Sequence, residues 1–195
     1  MNIGITGGIG TGKSVVSRIL RTKGYQVYDC DLEARRIMEA SGDLKNAIRQ
    51  KLGNSCLHAD GSLNRDEIAR CIFSNDECRL WLNSKVHGLV LEDVDAVSRL
   101  CDDGPFFIES AIPMSSGLWR MCSEIWVVSA PEHVRIQRVI ERDKSDRSHI
   151  LARMRSQENE LSALPETVRI CHIENDGTKA ILPQLEDLIE NISSW

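Results

Sequence analysis

The strongest chemical signal in the chain is the run Gly7-Gly8-Ile9-Gly10-Thr11-Gly12-Lys13-Ser14, which fits the pattern G-x-x-x-x-G-K-[ST]. Glycines let a backbone curl until successive N–H groups point inward, making a cradle for phosphate oxygens. A helix opening near Lys13 adds the positive end of its dipole. The Lys13 amine then suits β- and γ-phosphates, and the Ser14 hydroxyl suits Mg²⁺. Gly8, Gly10, Thr11, Gly12, Lys13, Ser14 and Val15 are therefore the expected nucleotide-contacting set. By itself the motif specifies phosphate binding and no particular reaction.

Phosphoryl transfer to a small molecule also needs a carboxylate near the acceptor hydroxyl and arginines around the moving phosphoryl group. The sequence offers both. In Tyr28-Asp29-Cys30-Asp31, two acids stand at i and i+2 after an apolar run. On a strand end they point the same way, at the carboxyl edge of a sheet where α/β ligands bind. One acid takes the hydroxyl proton, and the reading favours Asp31. The other holds Mg²⁺ through water, or caps the next helix. Glu109, after Phe106-Phe107-Ile108, is a further strand-end acid, read equally as a metal-side carboxylate or an ordinary strand-end charge. Among the arginines, Arg138 and Arg142 stand at i and i+4 and share a helix face, and guanidinium suits bidentate phosphate contacts. Arg135, Arg147, Arg153 and Arg155 read as a solvated charged face.

Other users of the same loop are disfavoured. A guanine-reading N-K-x-D segment is absent, as is the L-S-G-G-Q signature of transport ATPases. A net charge of −5 argues against a nucleic-acid partner. The N-terminus shows no basic and apolar leader, and no span of about 20 apolar residues occurs. The expectation is a cytoplasmic protein that neither spans nor binds a membrane, a monomer or weak homo-oligomer acting on a small molecule. The cysteines show no C-x-x-C pair or zinc spacing and read as free thiols in a reducing compartment.

These residues need a scaffold. Asn2–Thr6, 26–28, 105–108, 125–129 and 169–173 read as strands. Helices are expected over 13–23, almost throughout 32–100 with breaks at Ser41-Gly42 and across Gly53 to Gly61, from Pro131 to about Arg142, and over 178–192. Strands alternating with helices imply an α/β fold of three layers around a parallel sheet. The core is expected over 1–31, 103–143 and 168–195. A helical substrate-binding insertion would occupy about 32–102 and a lid about 144–167. The stretch from Asp146 to about Leu161 reads as a strongly polar helix, a helical lid with few large apolar residues to hold it down, and so as a mobile cover.

The ordered set of motifs resembles the bacterial dephospho-coenzyme A kinase family along the whole chain. The opening Ile3 to Ser14 is similar to that family's start, and Asp29-Cys30-Asp31 to its Asp-x-Asp pair. Asp60-Gly61-Ser62-Leu63-Asn64-Arg65 matches Asp-Gly-x-Leu-x-Arg, with Phe73 following. Arg138 to Asp143 matches Arg-x-x-x-Arg-Asp, Gln157 the lid glutamine, and Asn175-Asp176-Gly177 the closing Asn-x-Gly. Two departures stand out: His87-Gly88 replaces His-Pro, loosening the turn there, and Ala111 to Ser116 lacks a family glutamate. The resemblance implies a P-loop kinase that moves the ATP γ-phosphoryl group, with Mg²⁺, onto the ribose 3′-hydroxyl of 3′-dephospho-coenzyme A. Asp31 would be the general base, and Thr6, Asp31, Arg65 and His87 would lie on the acceptor side. Asn175 and Gly177 would lie near adenine. The remaining alternatives are another small-molecule or nucleotide kinase, and a nucleotide-binding regulator without turnover.

Overall fold

The computed structural model describes residues 1–101, 104–143, 146–165 and 167–192, with Ser156 and Glu158 described through their backbone alone. Residues 102, 103, 144, 145, 166 and 193–195, which fall within the expected insertion, core and lid, lie outside that set.

Five strands form one sheet: β1 (Asn2–Thr6), β2 (Val27–Asp29), β3 (Phe106–Glu109), β4 (Glu124–Ser129) and β5 (Arg169–Glu174). Their order is β2-β3-β1-β4-β5, every pairing is parallel, and helices cover both faces. Strands buried on both sides need continuous apolar runs rather than alternation, which is what Ile3-Gly4-Ile5 and Ile125-Trp126-Val127-Val128 supply. On one face Ile3, Ile5, Phe107, Trp126, Val128 and Ile173 pack against α1 (Lys13–Thr22) and α8 (Ile181–Ile192), through Val16, Leu20 and Leu185. Each large aliphatic side chain taken fully out of water contributes about 1.5–3 kcal/mol. One carboxylate is buried in this layer. Glu124 is held by the Trp126 indole N–H at 2.6 Å, the Cys171 thiol at 3.0 Å and Arg169 at 3.5 Å. Burial, with Glu124 beside it, pushes the Cys171 thiol up to about 11, so it stays protonated.

The chain divides into two compact units, one of Met1–Asp29 with Ser98–Trp195 and one of Cys30–Val97. The second contains α2 (Cys30–Ala40), α3 (Gly42–Leu52), α4 (Arg65–Ser74) and α5 (Asp76–Ser98), around a core of Leu44, Ile48, Cys56, Leu63, Ile68 and Leu82. Ser41 caps α3 by accepting from the Leu44 N–H, and Asn64 caps α4 by accepting from the Glu67 N–H.

Three readings need correction. Asp29 and Asp31 are not an i, i+2 strand pair: β2 ends at Asp29, and Asp31 lies in the first turn of α2. A carboxylate is favoured there by the helix dipole. No turn follows His87, because α5 runs unbroken through Gly88. The 146–161 stretch is better anchored than its polar composition suggested. It forms α7 (Arg147–Ser162), and Ile150 and Met154, one turn apart, are 1% and 4% exposed. They pack with Ile136 and Val139 of α6 (Glu132–Asp143) and with Ile9.

Candidate active site

Within the sheet unit, the turn after β1 leads directly into α1. Gly12 occupies the N-cap of α1 at φ +98°, in the left-handed region that a side chain would strain. It offers no side-chain cap, and no acidic residue stands in the first helical turn. Contrast α3 and α4, whose caps come from Ser41 and Asn64. A helix start that its own sequence leaves uncapped is a site for an external anion. Gly10 also has positive φ, and a Cβ there would lie 2.6 Å from the Arg135 carbonyl oxygen.

Side chains brace this loop internally. The buried Thr11 hydroxyl donates to the Gly8 carbonyl at 2.9 Å. Lys13 Nζ donates to the Gly7 carbonyl at 2.6 Å and leans toward that of Gly8 at 3.4 Å. Asn175, 8% exposed, donates from Nδ2 to the Thr11 carbonyl at 2.7 Å. Arg138 in turn donates to the Asn175 carbonyl and to its Oδ1, both at 3.1 Å. The side chains of Asn175 and Arg138 thus support the base of the loop. Gly177 at φ +92° has open space around it. Arg142, also on α6, turns away: its side chain is 61% exposed and its guanidinium bonds both oxygens of Asp143 at 2.6 and 2.8 Å. That contact holds the Asp143 carboxyl below its ordinary range.

Ile5 and Asp29 are the register partners of Glu109, so Asp29 and Glu109 are neighbours at the carboxyl edge of the sheet. Burial, foremost, and the Asp29 charge push the Glu109 carboxyl up, while Ser17, Lys13 and Arg21 pull it down. Glu109 Oε2 is buried without a hydrogen-bond partner, and so are the hydroxyls of Ser17 and Thr6. Ser17 therefore acts on Glu109 by proximity rather than through a well-formed hydrogen bond. Ser14 is exposed at the start of α1. Hard oxygen donors of this kind suit Mg²⁺, which is held by one or two side chains together with phosphates rather than by a full protein cage. No group of three or more His, Cys, Asp or Glu residues able to hold a metal occurs among the described residues.

Three residues that the spacing argument had passed over sit on this site. Arg135 of α6, assigned to the solvated face, donates from Nε to the Ile9 carbonyl at 2.9 Å. Gln157 of α7 accepts from the Ile9 N–H at 2.6 Å. Glu160, one turn later, accepts from the N–H groups of Met114 and Ser115 at 3.0 and 3.2 Å, in the segment that lacks the family glutamate. The signal was available in part, since Ile150, Met154 and Gln157 fall at i, i+4 and i+7 on one helix face. The helical unit carries the other expected residues. Asp31 is in the first turn of α2, Arg65 opens α4 with Glu39 3.9 Å away, and His87 is half-buried within α5.

The model of the family described as dephospho-CoA kinase matches residues 1–179. A Porphyromonas gingivalis protein named dephospho-CoA kinase is 38% identical over 192 residues, covering 98% of this chain and 94% of its own. Among solved structures, a Thermus thermophilus protein is 29% identical with a TM-score of 0.78, covering 100% of this chain and 96% of its own. A dephospho-CoA kinase from Campylobacter jejuni has a TM-score of 0.72 at 19% identity, covering 99% and 98%, a likeness of fold.

Proposed function

The chain belongs to the dephospho-CoA kinase family, and from that premise we propose how its own residues carry the reaction. It is an enzyme that phosphorylates the ribose 3′-hydroxyl of 3′-dephospho-coenzyme A to give coenzyme A, the last step of coenzyme A biosynthesis. ATP is the phosphate donor that the family uses. No helix among the described residues is long and apolar enough to cross a membrane.

The uncapped start of α1, reached through a glycine turn, carries the donor half of the reading. ATP phosphates take the N–H groups that Gly12, having no side chain, leaves uncapped, and Lys13 leaves the Gly7 carbonyl to meet the γ-phosphoryl group. The acceptor's 3′-oxygen forms a bond to the γ-phosphorus as the bond to the β–γ bridging oxygen breaks, and ADP departs. Asp31 takes the hydroxyl proton. Arg138, already fixed at the loop's base, and Arg142, once released from Asp143, offset charge on the transferring group. Mg²⁺, when bound, neutralises charge on the β- and γ-oxygens. Ser14 would ligate it directly, with Glu109 or Asp29 behind. Thr6, Arg65 and His87 contact the acceptor, and Gly177 leaves room for adenine. Incubation with ATP, Mg²⁺ and a panel of 3′-dephospho-coenzyme A, adenosine and shikimate tests the reading. Only the first should yield a phosphorylated product with ADP, the new phosphate at the 3′-position by NMR. Equal turnover of adenosine would defeat the acceptor assignment.

Glu109 makes a separate prediction. A carboxyl whose folded value is raised costs stability as pH climbs from its ordinary range through the raised one. Glu109→Gln removes that cost, so its thermal midpoint should match or exceed the parent's, with the gap widening as pH rises. The same change should weaken the Mg²⁺-dependent part of ATP binding, read by calorimetry with and without the metal. Unchanged Mg²⁺ dependence would leave Asp29 as the supporting acid.

A further inference from the structure

A loop of glycines is costly to order, because each glycine loses more backbone freedom than any other residue. If ATP had to order Gly7 through Gly12 on arrival, that cost would come out of its affinity. Among Gly7, Gly8, Ile9 and Gly10 there is one side chain by which the turn can be held. Ile9 is 6% exposed and packs on Ile136, Val139, Ile150 and Met154. Both polar groups of the same residue are also held from outside the sheet: the Arg135 Nε–H at 2.9 Å reaches its carbonyl and Gln157 Oε1 at 2.6 Å takes its N–H. Arg135 lies so close along the loop that a Cβ on Gly8 would collide with its Nη2, and one on Gly10 would crowd its backbone. The first half of the loop thus rests against α6 from Gly8 to Gly10, with α7 closing over Ile9.

We infer that Arg135 and Gln157 are positioning residues that grip the backbone of Ile9 and hold the phosphate loop in its nucleotide-ready shape before ATP arrives. Neither touches the reacting atoms in this role. Their contribution is to remove the ordering cost, so it belongs to binding of the polyphosphate and not to binding of the acceptor. The chemistry of position 157 follows. A carboxamide oxygen accepts the Ile9 N–H without bringing negative charge next to the anion, whereas a carboxylate would make the same hydrogen bond and repel the phosphates.

The inference rests on the phosphate-donor reading of this loop, and inorganic tripolyphosphate separates the two. Its binding to the parent enzyme, by calorimetry, tests the loop itself, and no binding there would defeat the donor reading. The grip is tested by Gln157→Met, Gln157→Glu and Arg135→Met, each with its thermal midpoint measured. Loss of one such hydrogen bond should weaken tripolyphosphate and ATP about tenfold in each Met variant. The KM for 3′-dephospho-coenzyme A should stay at the parent's value, and the thermal midpoint should fall by no more than about 2–4 °C, because a hydrogen bond that orders the loop also contributes to the folded state. Gln157→Glu should keep the midpoint and still lose tripolyphosphate affinity, more severely at low ionic strength. Tripolyphosphate affinity equal to or tighter than the parent's in both Met variants would overturn the inference. So would a loss matched by an equal loss for 3′-dephospho-coenzyme A and a midpoint lowered beyond that range, which would mark these side chains as general structural supports.

Discussion

Lys13→Ala should lower the rate of phosphoryl transfer by about 10²–10³, the scale seen when one preorganised donor to a developing negative charge is removed. Lys13 lies along its own loop, with Nζ on the Gly7 carbonyl. Its stem is only partly buried and joins none of the hydrophobic clusters, so removing it should cost the fold little. The charge is another matter. Asp29 and Glu109 stand close by, and Lys13 draws the Glu109 carboxyl toward its ionised form. Alanine therefore removes a cation both from the phosphate side and from a pair of acids. A single-turnover measurement at saturating ATP separates the effects. A slow chemical step with a normal thermal midpoint is the expected result. A raised KM for ATP at unchanged single-turnover rate would confine Lys13 to binding, and near-normal turnover would contradict the phosphate-loop assignment.

The phosphate loop could be read from sequence because its geometry is local. Glycines at fixed offsets, a lysine and a hydroxyl between an apolar run and a helix dictate the backbone without help from elsewhere. The parallel sheet was readable for a related reason, since Ile3-Gly4-Ile5 and Ile125 to Val128 are apolar at consecutive positions. Failures came where a choice between two local structures depended on tertiary context. β2 is only three residues long, so Asp29-Cys30-Asp31 continues a strand as plausibly as it opens a helix, and packing decides for the helix at Cys30. Arg135 and Gln157 meet Ile9 across 126 and 148 residues of chain, and no spacing rule announces such contacts. The anchoring of α7 was hidden by composition: Ile150, Leu151 and Met154 are few among many charges, yet two of them share one helix face and that face is buried.

That anchoring changes what a closing motion can be. A cover held only by arginines would swing freely until phosphate arrived. Here α7 already holds the Ile9 N–H through Gln157 and the Met114 and Ser115 N–H groups through Glu160, on adjacent turns of one helix face. The turn around Ile150 and Met154 should therefore be protected from amide exchange even without ligand, and ligand-dependent protection should concentrate toward Arg142 and the exposed start of α7. Uniformly fast exchange across residues 147–162 in the free enzyme would return α7 to the freely mobile reading.

Asp31→Asn should slow transfer by about 10²–10⁴, the range for loss of a positioned general base, while leaving ATP affinity close to the parent's. Asparagine preserves the size of the side chain and an oxygen able to accept hydrogen bonds near a helix start, so α2 should still begin at Cys30. What it loses is the capacity to take a proton from the 3′-hydroxyl as the new O–P bond forms. Asp29, the last residue of β2 and the register partner of Glu109, is the internal control, since it belongs to the sheet edge. Asp29→Asn should act mainly on Mg²⁺-dependent ATP binding and spare the chemical step. The paired measurement is calorimetry with ATP and Mg²⁺, alongside rapid-quench single turnover with both substrates saturating. A base at position 31 predicts that Asp31→Asn separates the two, with binding kept and chemistry lost, and that Asp29→Asn shows the reverse weighting. Should Asp31→Asn lose ATP–Mg²⁺ affinity and leave the quenched single-turnover rate intact, the proton must leave by another group and Asp31 belongs to the metal side. The assignment rests on placement: Asp31 stands in the first turn of α2, just past the helix start at Cys30, whereas Asp29 ends β2 at the sheet edge.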